Sequence, residues 1–253
     1  MSGGRRIVLI GGCARSGTTA LVRLLNAHPD CMIGHERFFG PFRRGEIGPG
    51  HFERSRFLDI QPGDTHPGND KQFAALGGGE RFDRAGVIGD KYPRLFQLYG
   101  QVRVRLPGAR VVFALRNPFS VAESHQVRFD DPNDNWERDP AAGLAEWNQS
   151  LASTRDALAA GMDIVVASYE PLFSGPAAAA RLFARLGLDP ARADWQALEA
   201  VFAQAGALRD KPVPRREEMR RMIGLTADFD LYRRLCTENC LFAETSQPDA
   251  QVV

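Results

Sequence analysis

The chain has 253 residues with a formal net charge of +1, and 43% of its residues are hydrophobic and 25% charged. This composition is that of an ordinary globular protein, and we expect a single α/β domain over residues 1–253. The near-zero net charge argues against binding to extended nucleic acid, and every apolar run is too short for a membrane span.

The spacing of cysteine and histidine gives no sign of a metal centre. The four cysteines stand at positions 13, 31, 236 and 240, and the five histidines are scattered. These positions match neither a zinc pattern nor a disulfide framework. Because the first residues, MSGGRR, also lack the apolar segment of a signal peptide, we expect reduced thiols in a cytoplasmic protein. The oligomeric state stays open.

Short β-branched runs alternate with helical patterns along the chain. We predict strands at 7–12, 31–36, 87–91, 109–115 and 163–170. We predict helices at 18–28, 93–106, 117–128, 140–161 and 175–188. Such alternation is typical of a central parallel sheet, here of about five strands, with helices on both faces.

Two regions stand apart from this alternation. Residues 37–85 have weak periodicity and are rich in Gly, Pro, His, Phe and charged residues. We predict that this region, called the insertion below, forms loops and short helices over the active face. Residues 205–253 are predicted to form a helical C-terminal segment that is basic between 209 and 222.

A glycine-rich sequence, GCARSGTT (12–19), lies between the first predicted strand and the first predicted helix. It has the spacing of a phosphate-binding loop, G-x-x-x-x-G-K-[ST], except that Thr18 replaces the lysine. The backbone N–H groups of such a loop bind anions, and Arg15 supplies the charge of the missing lysine. This anion loop predicts a P-loop-type, three-layer fold. Its candidate anion-binding residues are Ala14, Arg15, Ser16, Gly17, Thr18 and Thr19.

A second group of anion-binding residues follows the fourth predicted strand. Arg116 ends that strand, and Ser124 comes eight residues later, in the second turn of the next helix. A guanidinium group and a hydroxyl at this spacing can converge on a dianionic phosphate. Both groups lie at carboxyl ends of strands, where parallel sheets bind their ligands. Two anion sites without a metal site would suit a nucleotide that is phosphorylated at both ends of its ribose.

At these residues the chain resembles the sulfotransferases that use 3′-phosphoadenosine 5′-phosphosulfate (PAPS). The sequence RSGTT (15–19) is similar to their 5′-phosphosulfate loop, and Arg116 with Ser124 is similar to their 3′-phosphate motif. Further resemblance, to the tyrosylprotein, bacterial and carbohydrate branch, lies in the segments 15–36, 87–93 and 168–188. The resemblance implies metal-independent transfer of SO₃ from PAPS to a hydroxyl, or an amine, of a small-molecule, glycan or peptide acceptor.

The resemblance also implies roles for individual residues at the strand ends. Glu36 would be the general base, with His35 as its local rival, and the choice between them stays open. Lys91, together with Arg15, would stabilise charge that develops during transfer. Tyr169 would line the adenosine site, and the insertion would shape the acceptor pocket. A basic segment contains Arg209, Lys211, Arg215 and Arg216, with Lys211 as a candidate nucleotide-binding residue. Whether this segment closes over the nucleotide or is a solvated face stays open.

Two other functions stay open at this point. A P-loop kinase or nucleoside triphosphatase with a degenerate loop would use Asp90, which follows an apolar run, to hold Mg²⁺. The threonine at position 18 argues against this function, because such enzymes use a lysine there. A non-catalytic nucleotide-binding protein would also have two anion sites, but it would have no need of Glu36 and Lys91 beside them.

Overall fold

The computed structural model describes residues 5–66, 69–207 and 216–241. A five-stranded parallel sheet has the order β2–β3–β1–β4–β5. Its strands are Arg6–Gly12 (β1), Cys31–His35 (β2), Val87–Lys91 (β3), Arg110–Leu115 (β4) and Ile164–Ser168 (β5). The five predicted strands are confirmed, and their ends agree with the prediction to within two residues.

Helices of very different lengths surround this sheet. In the parts of the chain that the structure describes, the α-helices are Thr18–Asn26 (α1), Phe39–Arg44 (α2), Arg54–Leu58 (α3), Asp70–Ala74 (α4), Gly78–Arg84 (α5), Tyr99–Arg105 (α6), Pro118–Phe129 (α7), Pro140–Ala159 (α8), Tyr169–Leu172 (α9), Pro176–Arg185 (α10), Trp195–Ala207 (α11), Arg216–Thr226 (α12) and Phe229–Arg234 (α13). Within these ranges no helix has the length and apolar character needed to cross a membrane.

The strand order explains why helices cover both faces of the sheet. From β1 the chain passes through α1 to β2 on one side, whereas from β4 it passes through α7 and α8 to β5 on the other. Because parallel crossovers are right-handed, connections that run in opposite directions lie on opposite faces. Every residue of β3 and β5 is accordingly buried, which is expected for strands covered on both sides.

The register of the sheet brings the candidate residues together. His35 of β2 and Ile10 of β1 both lie opposite Lys91 of β3, and Gly12 lies opposite Ala114 of β4. The carboxyl ends of four strands are therefore level. This one edge of the sheet carries the anion loop, Glu36, Lys91 and Arg116.

The segment between β3 and β4 differs from its prediction. The helix predicted at 93–106 is a 3₁₀ turn, Leu95–Leu98, followed by the short helix α6. Beyond the end of β3, Tyr92 and Pro93 still form backbone hydrogen bonds with β1. Leu95 then packs directly on Gly11, where an added Cβ would lie 2.7 Å from the Leu95 Cβ. This close approach to the sheet delays the start of the helix. The prediction also omits α11.

The insertion forms short helices joined by loops, as predicted, and these surround a buried aromatic cluster that was not predicted from the sequence. The fully buried Arg37 anchors it through an ion pair with Asp64, at 2.8 Å. Although burial alone would raise the pKa of Asp64, hydrogen bonds from Arg56 and Arg37 lower it to about 2. The aromatic residues buried in this region are Phe38, Phe42, Phe52, Phe57, Phe73 and Phe82.

Candidate active site

The anion loop joins β1 to α1 at the centre of the sheet edge. Gly17 has a φ of 85°, and a Cβ at this position would lie 2.3 Å from the ring of Tyr169, so only glycine fits. Helix α1 begins at Thr18 without a side-chain cap, which leaves its first N–H groups unpaired by a capping side chain. Ser16 is 1% exposed, and its Oγ has no hydrogen-bond partner among the described residues. The loop thus presents polar groups suited to an anion.

Arg15 connects the two predicted anion sites. Its Nε donates a hydrogen bond to Ser124 Oγ at 3.0 Å, and its backbone carbonyl accepts one from Arg116 Nη1 at 3.0 Å. Burial lowers the pKa of Arg15, and the nearby charges of Arg128 and Arg116 lower it further. Three guanidinium groups repel one another here, and Asp134, which pairs with Arg128, offsets part of that repulsion. An anionic ligand would relieve the rest.

Arg116 lies on the ring of Tyr169. Its guanidinium carbon is 4.5 Å from the ring centroid, and its Nε is buried without a hydrogen-bond partner among the described residues. Trp147 donates from Nε1 to the Arg116 carbonyl at 2.9 Å. Tyr169, which is 8% exposed, therefore fills the space between Arg116 and the anion loop. The Tyr169 ring thereby supports the guanidinium group of Arg116.

Glu36 and Lys91 form an ion pair at the ends of β2 and β3. The distance from Lys91 Nζ to Glu36 Oε1 is 2.5 Å, and the two side chains are 3% and 14% exposed. Burial lowers the pKa of Lys91, and the charge of Glu36 opposes that shift. Glu36 therefore pairs with a lysine 55 positions away and not with its neighbour Arg37.

Two residues with a Cβ have left-handed backbone in the described part of the chain. They are Arg15, with a φ of 70°, and Glu36, with a φ of 57°. Such a conformation costs a non-glycine residue about 1–2 kcal/mol. Strain of this kind concentrates at functional sites, and both residues are candidates here.

His35 contacts the first turn of α1. Its Nε2 lies 3.0 Å from the Thr19 Oγ1 hydroxyl. Burial, and then the charge of Lys91, lower the pKa of His35 to about 4. The imidazole is therefore neutral near pH 7, and it is a weak base that is already hydrogen-bonded to the loop.

Asp90 has backbone partners that a metal ligand would not have. It is completely buried, and its carboxylate accepts hydrogen bonds from the N–H groups of Arg37, Phe38 and Lys91 at 2.8–2.9 Å. Burial raises its pKa to about 6, against the lowering effect of these bonds. The structure thus does not favour the Mg²⁺ role considered for Asp90. In the described ranges, no three His, Cys, Asp or Glu side chains are grouped as metal ligands would be.

Other polar residues at this edge lie outside the sequence prediction. Arg128 lies one helical turn beyond Ser124 in α7, and it stacks on Trp136 at 4.5 Å from the ring centroid. Its i, i+4 spacing from Ser124 is the sequence signal that could have placed Arg128 at the site. Glu146 of α8 accepts a hydrogen bond from the Ala14 N–H of the anion loop at 3.0 Å. No local pattern marks a residue 132 positions from its partner.

The basic C-terminal segment is described only in part. Lys211, Arg209 and Arg215 lie outside the described residues. Arg216 begins α12 and pairs with Glu123 of α7 at 2.8 Å. Helix α12 therefore starts beside the residue that precedes Ser124.

The fold and the site together define a P-loop-like α/β protein, in which the first strand leads through an anion loop into a helix. The model of the sulfotransferase family matches residues 8–192. Since this match covers well over half of the chain, the chain belongs to the sulfotransferase family and is an enzyme of transferase type. A search of curated proteins gives no significant match.

Solved sulfotransferase structures share this fold. The sulfotransferase domain of the Synechococcus PCC 7002 olefin synthase is 19% identical, with a TM-score of 0.53, over 88% of this chain and 96% of that domain. The Alicyclobacillus acidocaldarius sulfotransferase is 21% identical, with a TM-score of 0.50, over 91% of this chain and 100% of that chain. The sulfotransferase domain from the curacin biosynthetic pathway is 16% identical, with a TM-score of 0.50, over 88% and 98%. At these identities the likeness concerns the fold.

Proposed function

We propose that this enzyme transfers a sulfuryl group from PAPS to a hydroxyl, or an amine, of its acceptor without using a metal ion. The observation that carries the proposal is the direct link between two anion-binding groups. Arg15 belongs to the anion loop and donates to Ser124, and Arg116 donates to Arg15. A nucleotide with a 5′-phosphosulfate and a 3′-phosphate is a ligand with anionic groups at both places.

In this proposal the anion loop holds the 5′-phosphosulfate. Its donors are the backbone N–H groups of Arg15 and of Gly17 to Thr19 and the buried hydroxyl of Ser16, whereas the N–H of Ala14 is already hydrogen-bonded to Glu146. Arg116 and Ser124 hold the 3′-phosphate, because a guanidinium group and a hydroxyl together match a dianionic phosphate. Tyr169 contributes to the adenosine side by fixing Arg116, and Lys211 stays a prediction from the sequence.

Glu36 and Lys91 have complementary roles in the transfer step. Glu36 accepts the proton of the acceptor hydroxyl through its carboxylate as the acceptor oxygen attacks sulfur. The bond from sulfur to the 5′-phosphate oxygen breaks, and 3′-phosphoadenosine 5′-phosphate leaves. Lys91 and Arg15 stabilise the charge on the oxygens around sulfur and on the leaving group. Two fixed cations at the site thereby supply the charge stabilisation that a metal ion gives in phosphoryl transfer.

Glu36 is a better candidate for the base than His35. The Nε2 atom of His35 is already hydrogen-bonded to Thr19, and its Nδ1 atom is buried, so neither nitrogen is available to an acceptor hydroxyl. The Glu36 side chain is 14% exposed, and its carboxylate is held through Oε1 by Lys91. The second oxygen is then the one that faces the acceptor. The strained backbone of Glu36 also favours a functional role.

The surface beside Glu36 suits an acceptor that carries a ring. Phe39 lies 5.0 Å from His66 and 5.9 Å from Tyr92, between ring centroids. Arg43 stacks on Phe39 at 5.5 Å. Because aromatic faces bind flat rings as well as the apolar faces of sugars, this wall is compatible with phenols, tyrosine side chains and glycans.

The test is transfer of ³⁵S from labelled PAPS to a panel of acceptors in the presence of EDTA. The panel contains 2-naphthol, a tyrosine-containing peptide and an oligosaccharide of N-acetylglucosamine. Labelled product in EDTA supports the proposal. A parallel reaction with γ-³³P-ATP and Mg²⁺ tests the kinase alternative. Phosphoryl transfer that needs Mg²⁺, without sulfuryl transfer from PAPS, would overturn the proposal.

A further inference from the structure

The backbone around Glu36 and Lys91 is held by one buried carboxylate. Asp90 Oδ1 accepts hydrogen bonds from the N–H groups of Arg37 and Lys91, each at 2.9 Å, and Oδ2 accepts one from Phe38 at 2.8 Å. Arg37 and Phe38 are the two residues that follow Glu36. A single side chain therefore contacts the backbone on both sides of the Glu36–Lys91 pair.

This arrangement addresses a difficulty of the local fold. Glu36 has a φ of 57°, which a residue with a Cβ keeps only when its surroundings hold it there. The N–H groups that follow such a turn need acceptors, because they are buried and no strand continues beside them. The carboxylate supplies charge-assisted hydrogen bonds, which are stronger than neutral ones.

The packing allows Asp90 little freedom. It is 0% exposed, and Gly34 lies beside it in the neighbouring strand β2. A Cβ at Gly34 would lie 2.8 Å from Asp90 Oδ1 and 2.6 Å from the Cβ of Arg37. Gly34 therefore provides the space in which the carboxylate reaches the turn.

We propose that Asp90 is a positioning residue for Glu36 and Lys91. The inference rests on the proposed function, since it assumes that this pair acts in sulfuryl transfer. Asp90 does not touch donor or acceptor. It fixes the turn after β2 and the end of β3, so that the Glu36 carboxylate and the Lys91 ammonium face the same reacting group.

The kinetic test uses Asp90→Asn, which keeps the shape but places an NH₂ donor where a carboxylate oxygen accepted. Activity is measured with labelled PAPS and the acceptor that turns over in the panel. Because a misplacement of about 1 Å can cost about 10²-fold in rate, we expect kcat to fall by about that factor. Binding of 3′-phosphoadenosine 5′-phosphate should change less than about twofold, since neither anion site contacts Asp90. Asp163→Asn, in an exposed ion pair with Arg110, is the matched control and should keep the parental kcat.

A double variant separates positioning from a merely structural role. In the Glu36→Gln background, Asp90→Asn should lower kcat by a smaller factor than it does alone, because one of the two groups that it positions has already lost its function. An equal loss in both backgrounds would overturn the proposal. So would a single Asp90→Asn variant that keeps the parental kcat.

If Asp90→Asn fails to fold, two further measurements test whether Asp90 positions Glu36 and Lys91. Gly34→Ala keeps Asp90 but displaces its carboxylate, and it should give the same loss of kcat. Its control is Gly86→Ala, where an added Cβ meets nothing within 4 Å. In the parent protein, the amide protons of Arg37, Phe38 and Lys91 should exchange with solvent no faster than the whole protein unfolds. Fast exchange at these amides, or parental kcat in Gly34→Ala, would contradict the inference, whereas a parent protein that fails to use PAPS would contradict the proposed function alone.

Discussion

The Glu36–Lys91 ion pair allows the catalytic and the structural roles of two residues to be measured separately. In Glu36→Gln the amide keeps the shape of the side chain but cannot take a proton. Loss of a general base typically costs about 10²–10⁴ in rate. We therefore expect turnover of labelled PAPS to fall by that factor, with nearly unchanged binding of 3′-phosphoadenosine 5′-phosphate.

The same substitution should also destabilise the fold. Lys91 is 3% exposed, and removing one partner of a buried ion pair costs about 3–5 kcal/mol. In Glu36→Gln the new amide oxygen would retain one hydrogen bond to Lys91 Nζ, and hydrogen bonds to charged groups are worth about 1.5–3 kcal/mol. The expected loss in the free energy of unfolding is the difference between the central values of these two ranges, about 2 kcal/mol. Lys91→Met removes the buried ammonium, so the double variant Glu36→Gln/Lys91→Met should recover much of this stability but no turnover.

Urea unfolding followed by tryptophan fluorescence gives the stabilities, and ³⁵S transfer gives the rates. Glu46→Gln is the matched control, because Glu46 forms an exposed ion pair with Arg44 in the insertion and should affect neither quantity. His35→Gln tests the rival base. If the destabilisations of Glu36→Gln and Lys91→Met simply add in the double variant, the ion pair is not energetically coupled. If Glu36→Gln keeps its turnover and His35→Gln loses it, the base is His35.

Three further predictions test other parts of the site and fold. Arg116→Ala should weaken binding of 3′-phosphoadenosine 5′-phosphate by about 10–150-fold, for a lost interaction of about 1.5–3 kcal/mol, and weaken AMP binding by a smaller factor. Calorimetry in EDTA measures this, with Arg110→Ala at the other end of β4 as control, and equal affinities for both nucleotides in the parent protein would contradict the two-anion-site arrangement. Arg15→Ala and Arg15→Gly should both lower turnover by about 10²–10³-fold, but the glycine variant should be more stable by about 1 kcal/mol because the left-handed backbone no longer strains a Cβ; identical melting temperatures would exclude that strain. Asp64 has a pKa of about 2 in the folded protein, below its ordinary value, so its contribution of about 2 kcal/mol is present above about pH 4 and is lost as the pH falls towards 2. Unfolding of Asp64→Asn and the parent protein from about pH 2 to 5 should therefore show a stability difference that shrinks with acid, and a constant difference would refute the assignment.

The sheet could be predicted from sequence because its strands are continuous apolar runs. In β1 and β4 the predicted runs begin and end within one residue of the structural bounds. Parallel strands that start from such runs must end at one edge, which is why residues as distant as Arg15 and Arg116 could be grouped in advance. The convergence of Ser124 on that group followed from helix geometry alone.

The partners within the site could not be predicted, because they depend on packing between distant segments. Nothing local indicates that Glu36 pairs with Lys91 while the adjacent Arg37 pairs with Asp64. Asp90 illustrates the same limit, since an acidic residue after an apolar strand is equally typical of a Mg²⁺ ligand. Only the pairing of β2 with β3, and the turn that follows β2, show that its carboxylate faces backbone N–H groups.

The two strained residues of the described chain indicate how the site is held. Glycine would adopt the backbone of Arg15 and Glu36 without cost, and the chain does use glycine at similar angles, as at Gly17 and Gly45. The presence of a side chain at each of these strained positions therefore indicates that the side chain has a function. Each of the two turns is fixed by a residue from a neighbouring strand end, Asp90 for the turn after Glu36 and Arg116 for the carbonyl of Arg15. Since Arg116 is also the proposed ligand of the 3′-phosphate, binding of that phosphate and the geometry of Arg15 depend on the same guanidinium group.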